Sequence, residues 1–179
     1  MLTRMWRHLC AVALLSAGFM ASTAALAERG PATAEEKEKV VKLAAAADKD
    51  PLGVMRSADG RWFQKWSDDV PDYMFGPDVG AFWFHNGVAK EDLMRVLRFH
   101  HMLSVAAFQV QKNMLDPEKN PTDLEAKTIA GIEGLLRAYE SLVKTNPNNK
   151  VAAIDELLVT RDKGGLADFV KRLPPLPKR

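Results

Sequence analysis

The chain has 179 residues, with 25 Lys and Arg against 23 Asp and Glu, for a formal net charge of +2 at pH 7. So even a balance gives no general reason to bind nucleic acid, anionic lipid or another polyanion. A single cysteine, Cys10, excludes a disulfide framework, a multi-thiolate metal site and a C-x-x-C-H haem attachment.

The first element is a leader. Arg4, Arg7 and His8 form a positive head, residues 9–19 an apolar run, and Ala25-Leu26-Ala27 a small-x-small exit. That order predicts a secretory signal peptide over 1–27 and a periplasmic product. A spanning helix needs about 20 predominantly apolar residues, a length reached here only by counting the weak tail 21–27. The leader is therefore read as cleaved rather than kept as an anchor, leaving no transmembrane span. Cleavage removes Cys10, Arg4 and Arg7. Residues 28–179 are read as one helical domain in which basic and acidic residues balance and packing alone supplies stability.

Thr33-Ala34-Glu35-Glu36 is a capping box that opens a helix over 34–47, with Val40, Val41, Leu43 and Ala44 as its apolar face. Asp50-Pro51 reads as an N-cap with proline at the first helical position. Residues 52–63 fit either a helical turn or a hairpin closed at Asp59-Gly60. Residues 61–87 read as a long irregular connection, rich in aromatics and broken by Pro71, Gly76, Pro77, Gly80 and Asn86-Gly87. A long helix is expected over about 89–114, with Glu91 and Asp92 in its first turn and Asp116-Pro117 beyond its end. Asn120-Pro121 opens another, to about 144. Shorter helices are expected over 151–161 and 166–173, stopped by Gly164-Gly165 and Pro174-Pro175. The fold class is all-α: an irregular bundle of four to five helices, ending in an extended Pro-rich tail over 174–179.

The long helix holds the chief candidate site. At about 100° per residue, Leu93, Val96, Leu97, Leu103, Ala107 and Val110 share one arc. His100 lies at its centre with Ser104 and Gln111 beside it, while Glu91, Arg95, Arg98, Gln109 and Lys112 fall opposite. Buried polar groups need partners, at about 1–3 kcal/mol each if left without. His100 is accordingly read first as a core histidine donating to a backbone carbonyl or to Ser104. The sharper alternative makes it a haem or metal ligand, with His101, Met102 or His85 as second ligand. Against this, adjacent His100 and His101 project about 100° apart, and no i,i+3 or i,i+4 ligand pair exists.

Trp62, Trp66 and Trp83, near Asp68, Asp69, Asp72 and Asp78, suit either packing onto the bundle or a box for a cationic or sugar-like ligand. Trp83 is flanked by Phe82 and Phe84, so an extended chain must turn at least one ring to solvent, a partner or a second layer. Asp68-Asp69-Val70-Pro71-Asp72 resembles the D-D-x-x-D motif of terpene synthases over five residues. It has no second metal motif, and its proline breaks the helix that motif needs. A calcium site from the same oxygens is an unspecific alternative. Gly131 and Gly134, each costing about 1 kcal/mol inside a helix, imply close approach of a second element or a homodimer contact. The tail over 171–179 has the spacing of a polyproline ligand and reads as an extended, solvated terminus.

No nucleophile elbow, phosphate loop or carboxylate pair appears, so the reading leans away from an enzyme. An enzyme would need a second polar cluster at His100, for which Tyr139 and Glu133 are the candidates. The leading expectation is a non-catalytic exported protein that binds another envelope or periplasmic protein, as an accessory, assembly or inhibitor subunit. The alternative is a small-ligand, haem or metal carrier using the His100 face. An open pocket beside Ala107, walled by Trp62, Trp66 or Trp83, would favour the carrier; a filled core would favour the binder.

Overall fold

Local capping chemistry sets where these helices begin. The computed structural model describes residues 29–75, 87–115 and 120–174, and these form an irregular all-α bundle of seven helices with no strand among them. Helix α1 (Ala34–Ala47) starts at the expected capping box: Thr33 Oγ1 accepts from the Glu36 amide at 3.2 Å, and Glu36 accepts from the Thr33 amide at 3.0 Å. Arg29 grips the same carboxylate at 2.7 Å.

Helix α2 (Pro51–Arg56) is capped by Asp50, whose carboxylate accepts from the Gly53 amide at 3.0 Å. Helix α3 (Ala58–Asp69) is capped by Ser57, whose hydroxyl accepts from the Gly60 amide at 2.9 Å. These two short helices settle one open alternative in favour of the helical turn and correct one expectation. There is no hairpin at Asp59-Gly60, which lies in the first turn of α3. A Cβ on Gly60 would stand 2.2 Å from the Val54 carbonyl oxygen, so glycine is there to let α2 and α3 meet. The aromatic segment is also not irregular from residue 61, because Trp62, Phe63 and Trp66 have helical i,i+3 and i,i+4 spacing and lie on α3. The same two helices raise the total above the four or five expected.

Helix α4 (Glu91–Lys112) ends at Asn113, in the left-handed region at φ 50°, a conformation asparagine tolerates. Helix α5 (Pro121–Thr145) is capped by Asn120, and a 3-10 turn (Pro147–Asn149) by Asn146. Helices α6 (Ala152–Asp162) and α7 (Leu166–Lys171) complete the bundle. No described helix is long and apolar enough to cross a membrane. The proposed leader 1–27 and tail residues 175–179 lie outside the described residues; Pro174 is exposed.

Helix α4 is the axis, packed chiefly on α5 and α1. Its first half inserts Leu93, Met94 and Leu97 among Ile132, Leu135, Leu136 and Tyr139 of α5, with Ile154 and Leu157 of α6 and Leu166 and Val170 of α7. Its second half, from Phe99 to Ala107, packs on Val40 and Leu43 of α1, Phe63 and Trp66 of α3, and Val70, Tyr73 and Phe75 after α3. Two apolar clusters are thus threaded on one helix, and His100 and His101 fall where one gives way to the other. Each fully buried leucine, isoleucine or phenylalanine contributes about 1.5–3 kcal/mol.

Candidate functional site

The line His100–Ser104–Gln111 divides in three dimensions. His100 is 1% exposed, and its Nε2 donates to the Pro51 carbonyl of α2 at 3.1 Å. A carbonyl only accepts, so the proton sits on Nε2. Burial lowers the His100 pKa; the Pro51 bond and nearby Asp48 oppose that shift without cancelling it. This is the core-histidine arrangement, with a backbone partner. Ser104 is buried against α5, whereas Gln111 is exposed, so the expectation of three polar groups along one buried face is corrected. The reason is that α1 and α5 flank α4 there without closing over it.

His101 faces α5 rather than the Pro51 carbonyl. A Cβ on Gly131 would come within 2.6 Å of its Nε2. Its pKa is pushed down to about 4, first by burial and then by the Lys127 charge. The two histidines thus point to different helices, as their adjacency requires. Among the described residues no three His, Cys, Asp or Glu groups converge as a metal site. His85, the other candidate ligand, lies outside the described residues, as do Phe82, Trp83, Phe84 and Asp78.

The described aromatics pack on one another. Trp66 is 2% exposed and stacks on Phe75 at 5.3 Å between ring centroids, and Phe75 stacks on Tyr73 at 5.8 Å. Phe63 meets Phe99 of α4 edge-on. Half-buried Trp62 already holds a cation over its face, the Lys39 ammonium at 4.2 Å, and Lys37 stands 5.6 Å from the Tyr73 ring centre. These rings and ammonium groups are the chain's own. Of the acidic run, Asp69 pairs with Lys65 at 2.6 Å and Asp72 accepts from the Ala32 amide at 3.0 Å. Those carboxylates tie the chain to itself rather than converging.

Gly131 and Gly134 are buried between α5 and α4, so close helix approach explains both and neither is available to a second copy. Tyr139 does not meet His100. Its hydroxyl accepts from the Val151 amide at 2.7 Å and donates to Asp155 at 2.8 Å, joining α5 to the start of α6. Glu133 lines a surface groove with Ser104 and Arg137, and Arg137 pairs with Asp48 at 2.9 Å.

One polar cluster escaped the sequence reading. Gln109, placed there on the solvent side, is 0% exposed, and so is Lys127 of α5. Both donate to the carbonyl of Met74, Gln109 Nε2 at 3.0 Å and Lys127 Nζ at 3.2 Å. They clasp the strip after α3 to the central helix pair. Gln109 Oε1 has no hydrogen-bond partner among the described residues. A signal was present: Met94, Phe99, Val105 and Ala106 lie off the first apolar arc and mark a second buried face that includes Gln109. For Lys127 the local sequence carries no such mark.

Open volume lies at the surface. The groove beside Ala107, about 280 Å³, is bounded by Val41, Ala44 and Ala45 of α1, Phe108 of α4 and Ala130 of α5, with no tryptophan wall. A second depression, about 300 Å³, lies at the other end of the bundle between α2, the start of α4 and the end of α5. Compared with known proteins, the chain matches no family model, no curated protein and no solved structure.

Proposed function

We propose that this chain is an exported, non-catalytic helical protein that acts by binding another protein in the periplasm or at the cell envelope. Export rests on the leader pattern over 1–27. The binding reading rests on one observation: His100, the anchor of any carrier site, is engaged by the Pro51 carbonyl in a packed interior, whereas the depressions open outward. Space walled by packed helices, with apolar residues at its floor and charges at its rim, suits docking of another chain better than enclosure of a small molecule.

The test is to express the full chain with its own N-terminus and examine the product as the cell leaves it. The reading expects an exported protein beginning near Glu28, colourless and free of stoichiometric metal, that migrates in gentle extracts with a native mass above that of the purified chain. A Soret band or bound metal lost on His100→Ala would overturn it in favour of the carrier.

A further inference from the structure

At the junction of α2, α4 and α5 the apolar floor of the 300 Å³ depression is Leu52, Met55, Leu93, Val96 and Leu142. A second depression of about 360 Å³ adjoins it, sharing Lys90, Leu93 and Asn149 as a common border and extending along Val88, Ala89 and Val151. The rim is cationic. Arg56, Lys90 and Lys150 are exposed and have no ion-pair partner among the described residues, whereas Arg95 is paired with Asp92 at 2.6 Å. Elsewhere on the surface Lys39, Lys42, Lys65, Arg137 and Arg161 are matched to carboxylates, and exposed cations without an ion-pair partner among the described residues, such as Lys112 and Lys163, line neither depression. An apolar trough with three unmatched positive charges is an electrostatically incomplete surface.

We infer that this trough docks an acidic amphipathic segment of the partner protein, its apolar side chains on Leu52, Met55 and Leu93 and its carboxylates against Arg56, Lys90 and Lys150. The inference rests on the protein-binding reading and names the surface and the partner's chemistry. Helix-in-groove recognition uses this combination of apolar anchors with charges that set orientation. A bilayer is met by apolar groups that protrude, and here they lie below a charged rim. The groove beside Ala107 has no unmatched positive charge, because its one cation, Arg137, is paired with Asp48, and Glu133 adds a carboxylate to the lining.

The test uses the full chain and a synthetic amphipathic helical peptide with leucine on one face and glutamate on the other. Its lysine counterpart and anionic phosphatidylglycerol vesicles are the comparison probes. The acidic peptide binds, its binding weakens as salt rises, and the R56E/K90E/K150E variant binds it at least about tenfold more weakly. A charge-matched control, K112E/K163E/R172E, alters three exposed cations that line neither depression and retains binding. Equal melting of both variants shows that folding is intact. Equal loss in both variants, equal binding of the lysine peptide, binding of vesicles alone, or self-association blocking the trough each overturns the inference. A photo-crosslinker at Met55 against one at Phe108 separates the trough from protein binding in general. A protein caught only from Phe108 overturns the trough and leaves protein binding standing, whereas a chromophore or metal held by His100 overturns both.

Discussion

Gly134 of α5 lies so close to Ser104 of α4 that a Cβ built on the glycine would stand 1.7 Å from the serine Oγ and 2.3 Å from its Cβ. No pair of ordinary side chains fits there. The contact sets the separation of the two longest helices, and His101 on Gly131 repeats it one turn earlier.

Gly134→Ala is therefore expected to destabilise the protein despite a helix-propensity gain of about 1 kcal/mol. Overpacking outweighs that gain, for a net loss of about 1–3 kcal/mol by urea denaturation. Adding Ser104→Gly makes room and recovers much of the steric part. A more stable Gly134→Ala protein would show that the helices do not approach this closely.

His101 titrates near 4 when folded, against an ordinary value of 6.5, because burial and then Lys127 disfavour its charged form. The unfolded chain thus binds more protons between these values. The contribution is fully present above about pH 6.5 and is lost as pH falls towards 4. At pH 5 the loss is about 2 kcal/mol, and His100, lowered in the same direction by burial, adds to it. Thermal melts at pH 7 and pH 5 should separate more in the parent than in His101→Leu. Parallel pH dependences would mean that His101 is not held neutral.

Tyr139 links two helices through one hydroxyl, and burial with the Asp155 contact pushes its pKa up to about 12, although the Val151 bond opposes the shift. Tyr139→Phe leaves the Val151 amide and Asp155 without that partner and should cost about 1–3 kcal/mol. Val151 makes no side-chain cap of its own at α6. Amide exchange should therefore rise first at the start of α6, and exchange unchanged there would count against the linkage.

Gln109→Ala removes one of the two donors to the Met74 carbonyl and opens space beside Lys127. The expected loss is about 1–3 kcal/mol. Chymotrypsin should cut at Tyr73 or Phe75 sooner than in the parent. Equal cleavage rates would show that Lys127 and ring stacking hold the strip without Gln109.

The helix starts were legible because capping is short-range chemistry. Thr33 with Glu36, Asp50 before Pro51, and Asn120 before Pro121 satisfy amides two or three residues away, so neighbours in sequence suffice. Even the overlooked α3 had its mark in the spacing of Trp62, Phe63 and Trp66. Which polar groups became interior was a different matter. Periodicity reveals one apolar arc, and α4 is buried on nearly every side because α1, α2, α5 and the strip after α3 all reach it. Gln109 went inside and Gln111 stayed out according to where those neighbours end, which no local pattern encodes. The amino-acid order alone determined an all-helical chain with these helix starts. Only tertiary packing decided that His100 would meet Pro51, that the glycines would be spent between helices, and that Arg56, Lys90 and Lys150 would surround one apolar trough, because those groups come from segments far apart in the chain.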